Sequence, residues 1–304
     1  MSAKIFIDGQ AGTTGLGIAQ RLGVMPGIAL VALDEARRKD AAARREAMAQ
    51  ADLTVLCLPD DAAREAVALA PEGTRILDAS SAHRTAAGWV YGFPELGPVY
   101  VQNIAQGRLV SNPGCYATSA IALLNPLIEA GLLPPDHDVT INAVSGYSGG
   151  GKALIAAHEA EGGPALEAYA LGLAHKHVPE IMLRSGLTRR PIFTPSVGHF
   201  AQGMLVCIPL FLDRLPGTPE GHELMEAYRE RYEGAENILV HPGIWSGALR
   251  PDALRGTDRL EIFVCANAAY DHAVLVARLD NLGKGASGAA VQNIKLMLGD
   301  AVDA

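Results

Sequence analysis

The residue best placed for covalent chemistry is a cysteine that follows a Pro-Gly turn. Cys115 lies in Ser111-Asn112-Pro113-Gly114-Cys115-Tyr116-Ala117-Thr118, directly before the apolar run from Ala120 to Leu124. Pro and Gly end the preceding strand, and the apolar run restarts the chain as a helix. The cysteine then stands in the first helical turn, where unpaired N–H groups and the helix dipole favour a thiolate. The sequence predicts a nucleophile here, and the alternative is a small buried core residue.

Two histidines form the strongest candidate partner for that cysteine. His175 and His177 flank a lysine in Ala174-His175-Lys176-His177-Val178-Pro179-Glu180. A histidine close to Cys115 can stabilise a thiolate and move protons to the reacting oxygen. If the segment is extended, residues two apart face the same side, and both imidazoles line one pocket. The pattern leaves open which of the two is the acid–base group.

A glycine-rich segment near the N-terminus predicts a dinucleotide site. Gly9-Gln10-Ala11-Gly12-Thr13-Thr14-Gly15 follows the first apolar strand and opens the first helix. Glycines there let the backbone approach a pyrophosphate, and the helix N-terminus supplies N–H donors. The spacing is GxxGxxG and not GxGxxG, so its position in a strand–helix unit carries the argument. The cofactor-binding candidates are Gly9, Gly12, Thr13, Thr14 and Gly15.

The choice between NAD and NADP depends on the segment after the second strand. Asp34 is the acidic residue that typically binds the ribose hydroxyls of NAD, whereas Arg37 and Arg38 suit the extra phosphate of NADP. Three consecutive cations beside one short carboxylate favour NADP, because guanidinium groups pair well with a phosphate dianion.

Candidate substrate-binding groups follow two other strands. Arg84, in Asp78-Ala79-Ser80-Ser81-Ala82-His83-Arg84, is either an anion clamp or an ordinary surface arginine. Ser145 and Gly146 begin a loop rich in glycine and hydroxyl groups that ends at Lys152. Such a loop can donate hydrogen bonds to a carboxylate or a phosphate, and the alternative is a flexible connection.

Composition excludes several classes of protein. The 304 residues are 49% hydrophobic and 19% charged, which is typical of an ordered globular enzyme with two domains. A net charge of -8 opposes binding to nucleic acid or to an anionic membrane. The four cysteines lack CxxC spacing, so neither a metal site nor a disulfide framework is predicted. We expect a cytoplasmic protein without a signal peptide or a membrane span.

The pattern of elements predicts an α/β domain followed by an α+β domain. Up to Cys115, short apolar strands alternate with helices, which indicates a doubly wound parallel sheet. Later β-rich stretches contain one clear amphipathic helix, at 219–232, and favour a mixed or antiparallel sheet that is available for self-association. We expect a dinucleotide-binding domain at 1–114, rejoined by a C-terminal helix at 285–304, and a catalytic domain at 115–284.

The whole chain resembles the N-acetyl-gamma-glutamyl-phosphate reductases of arginine biosynthesis, in their shorter bacterial form. The resemblance rests on the GxxGxxG, cysteine and His-x-His blocks described above. Three further blocks are Tyr91-Gly92-Phe93-Pro94-Glu95, Ser145-Gly146-Tyr147-Ser148-Gly149 and Asp280-Asn281-Leu282-Gly283-Lys284-Gly285-Ala286. It implies NADPH-dependent reduction of an acyl phosphate to a semialdehyde through a cysteine thioester. It also implies that Cys115 is the nucleophile and that His175, His177 and Tyr169 lie in the pocket with Ser145 and Gly146.

Several rival functions share part of this pattern. Aspartate-semialdehyde dehydrogenases use the same logic on a substrate with a free amine, and an amino-adipyl-phosphate reductase would differ by one methylene. The His-Lys-His block favours the acetylglutamyl reaction by resemblance. A nucleotide-sensing regulator is the non-catalytic alternative, but it has no need for a nucleophile at a helix start. We expect a small-molecule substrate and a homo-oligomer.

Overall fold

The computed structural model describes residues 2–299, and these fall into two compact units. The first contains the described residues up to Pro113 together with those from Ala286 onward. The second runs from Gly114 to Gly285. The chain therefore leaves the first unit immediately before Cys115 and returns to it after a glycine-rich segment.

The first unit is built on a six-stranded parallel sheet with the order β2-β1-β3-β4-β6-β5. Four helices alternate with its strands, which confirms the predicted parallel α/β domain. The elements are β1 Ala3–Asp8, α1 Thr13–Leu22, β2 Ile28–Val31, α2 Ala41–Gln50, β3 Leu53–Leu56, α3 Asp60–Leu69, β4 Ile76–Asp78, β5 Val90–Tyr91, α4 Pro98–Gln106 and β6 Leu109–Ser111. The short strand β5 and the helix α4 were not predicted.

Strand β1 shows why the sheet is covered on both faces. Ile5 and Ile7 point to one apolar cluster, which includes Ile18 of α1. Phe6 points to the other, which includes Met48 of α2. Because successive side chains of a strand face opposite sides, an apolar run is stable only when helices cover both.

The second unit is built on a seven-stranded mixed sheet, with the order β11-β12-β13-β10-β7-β9-β8. Two neighbouring pairs, β7 with β9 and β11 with β12, are parallel, and the other four pairs are antiparallel. The predicted mixed sheet is confirmed. The elements are α5 Cys115–Glu129, β7 Thr140–Gly146, α6 Gly151–Glu161, β8 Leu166–Ala168, α7 His177–Ser185, β9 Ile192–Gly198, β10 Met204–Phe211, α8 Gly221–Tyr232, β11 Ile238–Val240, β12 Leu260–Asn267 and β13 His272–Leu279.

Helices α5 and α8 cover one face of this sheet. Helices α5 and α8 pack against β10, β12 and β13, and the side chains that point toward them are buried. The alternate side chains are more exposed, with Ile192 at 51% and Phe211 at 53%. We call this surface the open face and define it by Ile192, Leu205, Cys207, Pro209, Phe211 and Val274.

Helix α5 contains a proline, and a tyrosine of α8 replaces the helical hydrogen bond that this proline cannot form. Pro126 has no N–H, so the carbonyl of Ala122 loses its partner within the helix. The hydroxyl of Tyr232 donates to that carbonyl at 2.8 Å. One residue further on, the hydroxyl of Tyr228 donates to the carbonyl of Leu123 at 2.6 Å. The α8 helix therefore completes the hydrogen bonding of the helix that begins with the candidate nucleophile.

We expect Tyr232→Phe to lower the free energy of unfolding by about 1–3 kcal/mol, because it leaves a buried carbonyl unpaired. The same substitution should cost less than about 1 kcal/mol in a Pro126→Ala background, where residue 126 regains its N–H. Urea denaturation of the four proteins measures this coupling. Tyr228→Phe is the matched control, and its cost should not depend on residue 126. Equal costs for Tyr232→Phe in both backgrounds would contradict the explanation.

The last described helix, α9 Gly288–Leu298, packs against α1 and α4 of the first unit. A short π-helical segment, Gly283–Ser287, leads directly into it. Arg75 donates to the carbonyls of Ala105 and Gly107, at the end of α4, and to that of Met297 in α9. One guanidinium therefore satisfies terminal carbonyls of two helices.

None of the helices within residues 2–299 has the length and apolar character that crossing a bilayer requires.

Candidate active site

Helix α5 begins at Cys115, which confirms the predicted position of the thiol in a first helical turn. Its N-cap is Gly114, which provides no side chain to cap the helix. Cys115 is partly exposed, whereas the twelve residues that follow it are buried. The thiol therefore stands at the accessible end of a buried helix, where the dipole stabilises its anion.

The other three cysteines differ from Cys115 in their surroundings. Burial, followed by the charges of Asp78 and Asp8, raises the pKa of Cys57 to about 12. Burial also raises the pKa of Cys207 and Cys265. These three remain thiols at neutral pH.

Two residues distant in sequence hold the backbone around Cys115. The carboxylate of Glu180, buried in α7, accepts a hydrogen bond from the N–H of Gly114 at 2.9 Å. Gly285 lies so close that a Cβ built on it would be 2.8 Å from the Cβ of Cys115. A side chain at residue 285 would therefore displace the nucleophile.

Aromatic rings surround the residue after the nucleophile. The ring of Tyr116 lies edge-on to His175 at 6.2 Å, to His177 at 6.1 Å and to Phe193 at 5.4 Å. Tyr169 lies edge-on to His175 at 5.8 Å. The structure thus brings Tyr169, His175 and His177 together beside the start of α5.

The two phenols of this group lie near each other and near Ser145. The hydroxyl of Tyr116 donates to the carbonyl of Ser196 at 2.9 Å, and Ser145 and Tyr169 are close enough to affect its pKa. Burial raises the pKa of Tyr169 to about 12 and that of Tyr116 further. The negative charge that Cys115 can carry adds to both shifts. Both phenols are therefore neutral hydrogen-bonding groups at pH 7.

The expectation that the two histidines lie on an extended segment was wrong. Helix α7 starts at His177, and the N–H of His177 donates to Nδ1 of His175 at 3.1 Å. The imidazole rings lie 4.8 Å apart at 72°. Pro179 falls in the first turn of α7, where a missing N–H costs nothing, so this proline is compatible with the helix.

The two histidines have different surroundings. Burial, followed by the charge of Lys176, lowers the pKa of His175 to about 4. At neutral pH His175 is an uncharged imidazole whose Nδ1 accepts a hydrogen bond. His177 is buried at the start of α7, next to the ring of Tyr116.

The depressed pKa of His175 predicts a loss of stability in acid. Between pH 6.5 and about 4 the unfolded chain binds a proton at this site that the folded chain does not. The free energy of unfolding should therefore fall as the pH falls through this window. In His175→Asn, whose amide oxygen can still accept from His177, the decline should be shallower. Urea denaturation at pH 7, 6 and 5 measures the difference, and parallel curves would contradict the explanation.

Ser145 and Gly146 end β7 and begin the segment 145–150, which we call the substrate loop after the role predicted for these two residues. The N–H of Gly146 donates to the carbonyl of Gly203 at 2.9 Å, and the N–H of Tyr147 donates to that of Phe200 at 2.9 Å. Ser145 and Ser148 are buried. The alternative of a flexible connection is therefore wrong for this part of the loop. Helix α6 starts within the glycine run, where its sequence signal is weak.

The residues of the predicted dinucleotide site fit that role. Gly9 has φ +85, and a Cβ there would collide with the carbonyl of Cys57, so only glycine is compatible. Gly12 is the N-cap of α1 without a side-chain cap, and Thr13, Thr14 and Gly15 form the first turn. The backbone N–H groups of this turn are the donors that a pyrophosphate would use.

The segment that was expected to select the cofactor is exposed. Asp34 accepts a hydrogen bond from the N–H of Ala36 at 3.0 Å and caps a short 3-10 turn. Arg38 pairs with Glu35, and Arg37 is exposed. The carboxylate that suggested NAD therefore has a local structural role.

Sequence reasoning missed Arg44, which lies beside the dinucleotide loop. Its Nε and Nη2 donate to one oxygen of Asp8, at 2.9 and 2.7 Å. Burial raises the pKa of Asp8, and Arg44 opposes that shift. The guanidinium neutralises a buried carboxylate that directly precedes Gly9, so the loop is not left anionic.

The interpretation of Arg84 as an ordinary surface arginine is wrong. It is buried, its Nε donates to the carbonyl of Asn112 at 2.9 Å, and its Nη2 donates to the carbonyl of Ala79 at 3.2 Å. These contacts hold the backbone three residues before Cys115. The clamp for a substrate anion stays a prediction.

No group of three or more metal-ligating side chains is present within residues 2–299.

Comparison with known proteins agrees with this arrangement. Residues 9–104 match the semialdehyde dehydrogenase NAD binding domain, and residues 115–281 match the semialdehyde dehydrogenase dimerisation domain. A Pseudomonas putida protein named N-acetyl-gamma-glutamyl-phosphate reductase 2 is 52% identical over 97% of this chain and 96% of its own. A Brucella ovis N-acetyl-gamma-glutamyl-phosphate reductase is 50% identical over 98% of this chain and 100% of its own. The chain belongs to the N-acetyl-gamma-glutamyl-phosphate reductase family.

Solved structures show that the fold of this reductase family is shared more widely. Aspartate semialdehyde dehydrogenase II from Vibrio cholerae superposes with a TM-score of 0.73 at 15% identity and covers 99% of both chains. The Candida albicans enzyme, solved with NADP, gives a TM-score of 0.69 at 16% identity and also covers 99% of both chains. At this identity the likeness concerns the fold alone.

Proposed function

We propose that this protein reduces N-acetyl-glutamyl 5-phosphate to N-acetylglutamate 5-semialdehyde and phosphate with NADPH, as a step of arginine biosynthesis. The observation that carries the proposal is a partly exposed Cys115 at the start of α5, beside Tyr116 and the two histidines. Relatives that carry this reductase's name match the chain over nearly its whole length.

The first step is acyl transfer to sulfur. The thiolate of Cys115 attacks the carbonyl carbon, the C–S bond forms, and the C–O bond to phosphate breaks. Inorganic phosphate leaves with the electron pair, and a thioester remains. The hydrogen bond from the N–H of Gly114 to Glu180 holds the backbone before Cys115, and so fixes the direction from which the sulfur approaches.

The second step regenerates the thiolate. When bound, NADPH supplies the hydride that converts the thioester carbon to a tetrahedral adduct. The adduct collapses, the C–S bond breaks, and the semialdehyde leaves. The collapse takes up no proton; the one proton consumed in each turnover is taken up by the phosphate that leaves in the first step. We assign its transfer to His177, because His175 is held neutral with its Nδ1 occupied.

Phosphate-dependent oxidation of N-acetylglutamate semialdehyde tests the proposal in the reverse direction. We expect turnover with this substrate and much slower turnover with aspartate semialdehyde, whose free amine is charged. Next to Tyr116 lie the uncharged ring of Phe193 and the imidazole of His175, whose pKa is lowered, which supports binding of an acylated amine. A preference for aspartate semialdehyde, or no turnover with either, would contradict the assignment.

We propose NADP(H) as the dinucleotide. Arg37 is exposed next to the 3-10 turn, and the carboxylate of Asp34 is bonded to the N–H of Ala36. A double Arg37→Ala and Arg38→Ala variant should raise the KM for NADPH by about tenfold and leave that for NADH nearly unchanged, because a charged pair with phosphate is lost. Initial-rate kinetics with both dinucleotides measures this. Equal turnover of the unmodified enzyme with NAD and NADP would contradict the preference.

We propose that the open face is covered by a second copy of the chain. The surface belongs to the part that matches a dimerisation domain, and it presents Ile192, Pro209 and Phe211 to solvent. An apolar sheet face of this kind is typical of subunit interfaces. Phe211→Lys should shift the protein toward a monomer in analytical ultracentrifugation.

We propose the cytoplasm as the compartment, because a reactive thiol stays reduced in a reducing environment.

A further inference from the structure

Asn281 uses both ends of its side-chain amide inside the second unit. The residue is 2% exposed. Its Oδ1 accepts from the N–H of Gly203 at 2.9 Å, and its Nδ2 donates to Oγ of Ser148 at 2.9 Å. A backbone N–H can only donate, so it fixes which amide atom is oxygen. The amide therefore bridges two segments that lie 78 and 133 residues away along the chain.

The two bridged segments are the substrate loop and the connection 199–203 between β9 and β10. They are also joined by backbone bonds, from Gly146 to Gly203 and from Ser148 to Ala201. Ser148 is the part of the substrate loop that contacts Asn281 through a side chain. The amide of Asn281 therefore holds the substrate loop at Ser148, three residues after Ser145.

The bridge is itself held in place. Asp280, buried next to Asn281, accepts from the N–H groups of Gly256 and Leu282. These bonds fix the backbone from which the amide projects. Because a buried, fully paired polar network permits few alternative arrangements, loss of one member should move the loop and not merely loosen it.

We infer that Asn281 is a positioning residue that sets the affinity for the acyl substrate by holding the substrate loop. The inference rests on the proposed function, since it takes Ser145 and Gly146 as groups that contact the substrate. It adds a residue that acts through Ser148 and leaves the thiol, the imidazoles and the dinucleotide loop unchanged.

The test compares Asn281→Ala, Ser148→Ala and the double variant of the full-length protein, with kinetics of phosphate-dependent N-acetylglutamate semialdehyde oxidation. Asn281→Ala should raise the KM for the semialdehyde about tenfold and change kcat by less than about threefold. The dissociation constant of NADP, measured by fluorescence, should not change. Ser148→Ala should act in the same direction, and the double variant should be no worse than Asn281→Ala, because both remove one bond.

Asn125→Ala is the matched control, since Asn125 is a buried amide on α5 that bonds Glu129 and Arg231. It should lower the melting temperature without raising KM. An unchanged KM in Asn281→Ala, additive effects in the double variant, or an equal rise in KM for Asn125→Ala would overturn the inference and leave the proposed function intact. Absence of activity in the unmodified enzyme would overturn both.

Discussion

Replacing Cys115 by serine is expected to lower the rate of acyl-phosphate reduction by on the order of 10³-fold or more, because a hydroxyl at neutral pH does not replace a thiolate nucleophile. The binding of NADPH, measured by fluorescence titration, should be retained. The serine occupies the same first turn of α5, so its melting temperature should stay close to that of the unmodified protein. A variant with a near-normal rate would disprove the thioester scheme.

Thiol alkylation gives an independent check on the same residue. Iodoacetamide at pH 7 should modify Cys115 first, since burial raises the pKa of Cys57, Cys207 and Cys265. Activity should be lost in proportion to label on the Cys115 peptide, which mass spectrometry can follow. A non-catalytic sensor would have no turnover to lose. Faster labelling of any other cysteine would contradict the assignment.

Replacing His177 by asparagine is expected to lower kcat by about 10²–10⁴-fold, which is the usual contribution of a positioned acid–base group. The KM for the semialdehyde should change much less, since the imidazole acts on the transferred proton. The acid limb of the pH–rate profile should be lost in the same variant. Steady-state kinetics as a function of pH measures both effects.

Two controls separate this role from a structural one. His241→Asn changes a half-buried histidine at the opposite edge of the second sheet, where it lies near Glu261, and should leave kcat unchanged. His175→Asn preserves an acceptor for the N–H of His177 and should cost less than His177→Asn. If His175→Asn had the larger effect on kcat, the two histidines would have to exchange roles.

The first unit and the start of α5 could be predicted from sequence because their signals are local. Apolar runs mark β1 and β3, and glycines mark the turn before α1. Pro113 and Gly114 end one element immediately before Cys115 begins the next. Each of these signals lies within a few residues of the feature that it predicts.

The parts that could not be predicted depend on contacts between distant residues. Helix α7 has only nine residues and a proline in its first turn, so its periodicity is weak and His175–His177 resembles an extended segment. Strand β9 contains Pro195, which argues against a strand. The bond between Glu180 and Gly114 joins residues 66 apart, and nothing in either local pattern indicates it.

The chain boundary at Pro113–Gly114 separates two halves of the chemistry. Thiol, imidazoles and substrate loop all follow it, whereas the glycine turn at Gly9–Gly15 precedes it. In the proposed mechanism, a mutation in one unit can therefore disable hydride transfer and leave acylation of the sulfur intact. A lesion in the glycine turn should leave an enzyme that releases one equivalent of phosphate in a burst and then stalls as a stable acyl-enzyme.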